Sequence, residues 1–281
     1  MNCMICNSNQ VNIFRDYESP FIDKYYTLYA CGNCESRFFD INQFPIDLED
    51  IYEQHARKNE NRYAAELRES SYWKTQVSRI LGLCRQPVHS VLDIGCRTGD
   101  FLMHWPQGIV RCGVEISASL ASVGVKRGLK IIQTPIEKAE FGQKFSVVTC
   151  YAIIEHLPDP VKLLQTLPRL VDTHGVVAIL IPTWQCLKQK VIYLQGKQWH
   201  MYSPPQHLNF LSRKKLDETM AKHGFSLITR KYTSGGMFHP FRNIPVVRHA
   251  FSKLMALLDM YSPLNSLPVF DHMYSYYLRE Q

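Results

Sequence analysis

The sequence predicts an α/β fold in which a mostly parallel sheet, covered by helices on both faces, follows a small cysteine-bracketed module. Three observations carry that expectation. Short apolar runs at residues 90–94, 110–115, 130–133, 145–151 and 176–182 alternate with helix-length segments at 99–105, 118–127 and 160–171. Strands that are apolar throughout, rather than at every second residue, are those buried on both faces of a parallel sheet. Four cysteines stand as two C-x-x-C pairs within the first 34 residues, and a chain of 281 residues can house one large core plus such an accessory unit.

Taken in order, residues 1–45 are short, cysteine-bracketed and aromatic, with Tyr25, Tyr26, Tyr29, Phe38 and Phe39, which predicts a zinc-ribbon-like module of small strands. Residues 46–87 predict a helical linker: the run is polar, has few breakers, repeats apolar positions at Tyr63, Leu67, Val77 and Leu81, and ends at Pro87. Residues 88–281 hold the alternation. Beyond its five strands come a helix at 213–223 stopped by Gly224 and two last strands at 225–232 and 270–278, for seven strands in all. An amphipathic helix is expected between those two, at 246–261, with Val247, Phe251, Leu254, Leu258 and Tyr261 on one face. Residues 183–211 form an insertion after the fifth strand.

Cys3-x-x-Cys6 and Cys31-x-x-Cys34 are separated by 24 residues. Two such pairs supply the four thiolates of a closed, structural zinc site, which keeps no open coordination position for chemistry. Two disulfides, or an ancestral site that has lost its metal, are the alternatives. The remaining cysteines, Cys84, Cys96, Cys112, Cys150 and Cys186, are scattered in apolar or loop sequence and bring the total to an odd nine, a pattern suited to a reducing compartment. The first ten residues lack a basic start and an apolar run, and no stretch of 18 apolar residues occurs, so a cytoplasmic protein without a transmembrane segment is expected.

The formal charge of +7 is uneven: residues 184–281 carry thirteen basic against five acidic side chains, whereas residues 1–60 carry five against ten. The basic third suits an anionic small-molecule substrate, a peripheral contact with an acidic membrane surface, or simply a basic solvated face. The acidic start argues against a module that grips nucleic acid.

The most informative stretch is Val91-Leu92-Asp93-Ile94-Gly95-Cys96-Arg97-Thr98-Gly99. An apolar strand delivers Asp93, and Gly95 and Gly99 supply the sharp turn and the close approach that a strand–helix ligand loop needs. Arg97 and Asp100 occupy the second and third glycine positions of the dinucleotide fingerprint, which disfavours a pyrophosphate. Glu115 ends the next strand, 22 residues after Asp93, where an acid can accept from both hydroxyls of a ribose. This nucleoside site without a diphosphate resembles the first motif and the following acidic loop of class I S-adenosylmethionine-dependent methyltransferases, and the likeness extends over residues 88–232. It implies a Rossmann-like seven-stranded sheet, with Asp93, Gly95 and Gly99 at the methionine part of the cofactor, Glu115 at the ribose and Ile136 near the adenine. Cys96 in the loop and Tyr151 at the end of the fourth strand complete the expected set. The family has glycine where this chain has Arg97.

Glu155-His156-Leu157-Pro158-Asp159-Pro160 resembles a segment of small-molecule methyltransferases, among them the ubiquinone-type O-methyltransferases. Some of those bind a divalent ion through an acid three residues ahead of the Glu-His pair; here Ala152 stands there, so no metal is expected at this place. The insertion resembles the aromatic, proline-stiffened W-x(n)-P-x-H-L segment of a group that often carries an N-terminal four-cysteine module and acts on polysaccharide or secondary-metabolite intermediates. Methyl transfer from a sulfonium is an in-line displacement that needs alignment in a dry pocket. A hydroxyl acceptor gains from a base near neutrality, and His207, then His200 and Tyr202, are the candidates. The expected function is methyl transfer to a small molecule such as a sugar, polyketide or lipid-linked intermediate, on oxygen first. An RNA base methyltransferase and a non-catalytic binding module are the alternatives. The first is weakened by Cys150-Tyr151-Ala152-Ile153 standing in place of an N/D-P-P-Y tetrad; the second is motivated by Arg97.

Overall fold

The computed structural model describes residues 1–21, 23–40, 42, 70–233 and 263–280. Three N-terminal strands come first: β1 (Val11–Glu18), β2 (Tyr25–Cys31) and β3 (Arg37–Phe39), paired antiparallel in that order. The edge of β3 is closed by β9 (Asn209–Phe210), which comes from the insertion and pairs antiparallel through Arg37 with Phe210 and Phe38 with Asn209. A strand of two residues has no periodicity to betray it, so this junction was not legible in the sequence.

The predicted alternation forms the second sheet, of β4 (Ser90–Ile94), β5 (Val110–Val114), β6 (Lys130–Ile132), β7 (Phe145–Tyr151), β8 (Val171–Pro182), β10 (Phe225–Thr233) and β11 (His272–Arg279). Its order is β10-β11-β8-β7-β4-β5-β6, and β11 alone runs against both of its neighbours. Side chains alternate between two buried faces. Leu92, Val148 and Val177 pack with α3 (Pro160–Leu170) and α5 (Arg213–Lys222), whereas Val91, Val147 and Val176 pack with α1 (Ser70–Leu83). Helix α2 (Ala118–Lys126) follows β5, and α4 (Leu187–Leu194) lies in the insertion. Local sequence sets the helix starts. Ser117, Asp159 and Ser212 cap α2, α3 and α5 by accepting from backbone N–H groups of the first turn, and Pro160 follows Asp159 where a missing N–H costs nothing.

Two expectations change, and a third is covered only in part. The helix over 99–105 is only a 3-10 turn at Leu102–His104, because Gly99 has a positive φ of 77° at one end and Trp105, preceding Pro106, is extended at the other. Strand β8 starts at Val171, directly after α3, with an irregular register against β7 before Gly175. Of the linker helix, Ser70–Leu83 is helical; the rest of it before residue 70 and the helix expected over 246–261 lie outside the described residues.

From β4 the chain steps to β5 on one side and later to β7 on the other. Open α/β sheets bind ligands outside the carboxyl ends of their strands at such a reversal. Asp93, Glu115 and Tyr151 all stand at that edge.

Candidate functional site

Beyond β4 the loop folds tightly over the sheet edge. The N–H groups of Gly95 and Cys96 both donate to the carbonyl of Val114, at 2.8 and 3.0 Å. Gly95 has φ 73°, and a Cβ there would lie 3.0 Å from Ile153 Cδ1; a Cβ on Gly99 would lie 2.1 Å from Leu129 Cδ1. Both glycines are therefore required by backbone conformation and by space. Arg97 also has a positive φ, 52°, which explains why glycine suits this position, and its side chain is exposed. Ala152, on the opposite strand end, is a second non-glycine residue with positive φ, 51°. Strained backbone of this kind collects at functional sites.

Glu115 is buried and held by the loop itself. Its Oε2 accepts from the N–H of Arg97 at 2.9 Å and its Oε1 from the N–H of Ser117 at 2.8 Å. Burial raises its carboxyl above the ordinary range, while these amides pull it back. Each oxygen retains lone-pair capacity for a further donor. Asp93 accepts from the Thr149 hydroxyl at 2.5 Å, and burial pushes its carboxyl up to about 7. Thr149 was missed by sequence reasoning, since a threonine inside an apolar strand looks like strand propensity alone.

The other expected loop residues differ in what they offer. The Cys96 side chain points beneath the loop, against Gly113 and Leu102, so it belongs to the floor. Ile136 is buried in a 3-10 turn whose carbonyl accepts from Arg169 at 3.0 Å. The Tyr151 ring stacks on Trp73 of α1 at 6.3 Å and meets Tyr274 edge-on at 5.4 Å. Its buried hydroxyl has no hydrogen-bond partner among the described residues.

Beyond the carboxyl end of β7 the structure brings Glu155, His156 and His207 together. One ligand-capable atom from each lies within 4.8 Å of the others, and the two imidazole centroids are 4.8 Å apart. His156 Nδ1 lies 2.7 Å from the Gln206 carbonyl and His207 Nδ1 lies 2.8 Å from the Met201 carbonyl. A carbonyl only accepts, so each Nδ1 carries a proton, and in His207, kept neutral by burial, Nε2 carries a lone pair. Glu155 is 3% exposed, and its Oε2 has no hydrogen-bond partner among the described residues. Burial raises the Glu155 carboxyl to about 8, and burial with the neighbouring His156 lowers His207 to about 3. His200 and Tyr202 do not join this group. His200 sits exposed beside Trp199, whereas Tyr202 is buried and accepts from Arg37 Nη1 at 2.5 Å. Burial raises the Tyr202 phenol well above its ordinary range.

The cysteine module backs this wall. The four cysteines converge, with Sγ–Sγ separations of 3.8 Å for Cys3–Cys34 and 3.6 Å for Cys6–Cys31. Those separations are too long for a disulfide in either pair, which needs about 2.05 Å, all four thiols are free, and the spacing matches the edge of a tetrahedron of roughly 2.3 Å zinc–sulfur bonds. Backbone N–H groups of Ile5 and Cys34 point at sulfurs. The module is tied at several points to the insertion and to Ser212 just after it. Ser212 Oγ donates to the Cys34 carbonyl at 2.6 Å, Ser19 Oγ to the Pro204 carbonyl at 2.7 Å, and the Phe39 N–H to the Leu208 carbonyl at 2.9 Å. The Arg37 guanidinium lies 3.8 Å from both the Phe14 and Trp184 ring centroids. No helix among the described residues is long and apolar enough to cross a membrane.

A family model described as a methyltransferase domain matches residues 59–230. Among relatives, an uncharacterized protein of Methanocaldococcus jannaschii is 28% identical over 50% of this chain and 67% of its own length. A ubiquinone biosynthesis O-methyltransferase of Haemophilus ducreyi is 28% identical over 48% of this chain and 60% of its own. Others of that name are matched over about 40% of their length, so the chain spans only part of those relatives. Among solved structures, the plantazolicin methyltransferase BamL, in complex with a triazolic desmethylPZN analog and SAH, superposes with a TM-score of 0.54 at 16% identity, over 83% of this chain and 94% of that one. A possible histamine N-methyltransferase from Thermotoga maritima gives 0.55 at 18% identity, over 84% and 100%. At such identities the likeness is one of fold.

Proposed function

Since this chain belongs to the methyltransferase-domain family and is an S-adenosylmethionine-dependent methyltransferase, we propose that it methylates a hydroxyl oxygen of a small, preferably anionic molecule. The single observation that carries the cofactor's place is Glu115, a buried carboxylate fixed by two backbone amides beside a loop that only glycine can form at Gly95 and Gly99. The bound cofactor supplies an electrophilic methyl on a sulfonium. In this proposal Glu115 accepts from the ribose hydroxyls, Asp93 and the glycine loop face the methionine part, and Ile136 lies by the adenine. The Trp73–Tyr151–Tyr274 cluster keeps water from the carboxyl end of β7. His207, with Nδ1 tied to Met201, presents a lone pair on Nε2 and orients the acceptor hydroxyl by accepting its proton in a hydrogen bond.

The cysteine quartet holds zinc in this proposal, and the metal's task is structural. Its knuckles carry β3, which pairs with β9 and thereby fixes the insertion that supplies His207. The decisive assay is incorporation of labelled methyl from S-adenosylmethionine into a panel of hydroxylated small molecules, with carboxylated and phosphorylated members, set beside total RNA. The expected result is alkali-stable, ether-type label in a small molecule. Label confined to RNA, or to nitrogen-only acceptors, overturns the acceptor assignment.

A further inference from the structure

A buried ionic cluster stands at the carboxyl end of β8, apart from the groups used so far. We propose that His272, backed by Asp271 and Lys188, binds an oxyanion of the acceptor, a carboxylate or a phosphate. That the anion belongs to an acceptor rests on the methyl-transfer proposal; anion binding itself does not.

The cluster is built around Asp271, which is 0% exposed. Its Oδ2 accepts from Trp199 Nε1 at 3.1 Å and pairs with Lys188 Nζ at 2.8 Å, while its Oδ1 accepts from His272 Nδ1 at 3.3 Å. Burial opposes the charge on this carboxyl, but His272 and Lys188 prevail and hold it below the ordinary carboxylate range. A carboxylate only accepts, so Nδ1 of His272 carries a proton and Nε2 is the atom turned away from the cluster. Backbone bonds fix the segments that bring these groups. The Leu187 and Lys188 N–H groups donate to the Pro268 and Val269 carbonyls at 2.8 and 3.0 Å, and the Thr183 N–H donates to the Asp271 carbonyl at 2.8 Å.

The register puts the cluster at the ligand edge of the large sheet. His272 stands opposite Pro182, just beyond the pairing of Tyr274 with Leu180. Residues two apart on a strand share a face, so His272 lies one step outward from Tyr274, which meets Tyr151 at 5.4 Å. After burial and His156, the charges of His272 and His200 also lower His207, so these imidazoles lie within electrostatic reach of one another.

The charges select an anion. Lys188 offsets Asp271, so a protonated His272 carries one positive charge that the cluster does not compensate. An oxyanion at Nε2 supplies the counter-charge through a charge-assisted hydrogen bond. Glu155, beside His156 and His207, does not compete, because burial raises it to about 8 and it keeps its proton at neutrality. The His272 side chain is 14% exposed and that of Lys188 10%, so an incoming group meets the imidazole first.

The test is titration of the whole protein with inorganic phosphate and, separately, with acetate, near neutral pH and without cofactor. Histidine-ring and indole NMR signals are followed. A saturable shift of the His272 ring is expected: with phosphate alone for a phosphorylated acceptor, with acetate alone for a carboxylated one, with both for a site that takes either. His272→Gln and Lys188→Met should each weaken anion binding roughly tenfold or more. In the variants the Trp199 indole signal reports both the anion and an intact bond to Asp271. No saturable shift of the wild-type His272 ring with either anion overturns the proposal, as does unchanged affinity in both variants with the indole signal in place. Binding of S-adenosylhomocysteine, measured without these anions, remains the separate check on the cofactor assignment.

Discussion

Ser212 Oγ donates to the Cys34 carbonyl at 2.6 Å while its own lone pairs accept the N–H of Lys215, so one buried hydroxyl both caps α5 and anchors the second cysteine knuckle. The cysteine module is by this bond part of the main body. Ser212→Ala removes a helix cap and the shorter of two hydroxyl bonds to the buried Cys34 carbonyl, which Ser36 Oγ also reaches at 3.4 Å, at a cost of roughly 1–2 kcal/mol. A lowered urea midpoint with unchanged slope is the expected result, and Ser212→Thr should recover most of it.

Gly99 is both strained and crowded. Gly99→Ala places a Cβ 2.1 Å from Leu129 Cδ1 at φ 77° and should cost about 2–4 kcal/mol. Combining it with Leu129→Ala relieves the clash but not the backbone strain. The two changes should therefore be less than additive in thermal or denaturant unfolding.

Arg97 carries strain without crowding. Arg97→Gly should leave stability unchanged or raise it by up to about 1 kcal/mol, because relief at φ 52° competes with the greater freedom of glycine in the unfolded chain. Affinity for S-adenosylhomocysteine should not fall. A marked loss in calorimetry would assign the exposed guanidinium a binding role.

Asp93 makes stability depend on pH. Its carboxyl is raised from 3.8 to about 7, by burial first and by the nearby Glu115 charge, against the Thr149 bond. The folded chain thus keeps a proton that the unfolded chain releases, and this group's contribution to stability falls as pH rises from about 4 to about 7. Asp93→Asn, which can still accept from Thr149, removes that penalty. The stability gap between the two proteins should be smallest near pH 4 and grow, by up to about 4 kcal/mol in favour of the variant, by pH 7 and above. Denaturant titrations at stepped pH measure it, and a gap that is flat with pH would show that Asp93 titrates normally.

These sites divide by how far apart their parts lie in the chain. Asp93, Gly95, Gly99 and Glu115 were legible because a strand, its turn and the next strand end are local, and parallel pairing brings their carboxyl ends to one edge. The cysteine quartet was legible because its spacing is itself the signal. The His156–His207 contact was not, although both residues had been singled out, since it depends on how a 29-residue insertion folds back. Nor was β9, two residues long, or the position of Arg37 between Phe14 and Trp184, which joins three segments with no common pattern. Nor was the placement of Tyr202 legible: it stands beside histidines in a stiff loop, yet the fold turns its hydroxyl to Arg37.

Isothermal titration of S-adenosylhomocysteine into the wild-type chain and into Glu115→Ala tests the whole account most directly. Saturable binding by the wild type and a loss of roughly tenfold or more in the variant, as for a lost charge-assisted hydrogen bond to the ribose, is the predicted outcome. No binding by the wild type, or equal affinity in a folded variant, would contradict it.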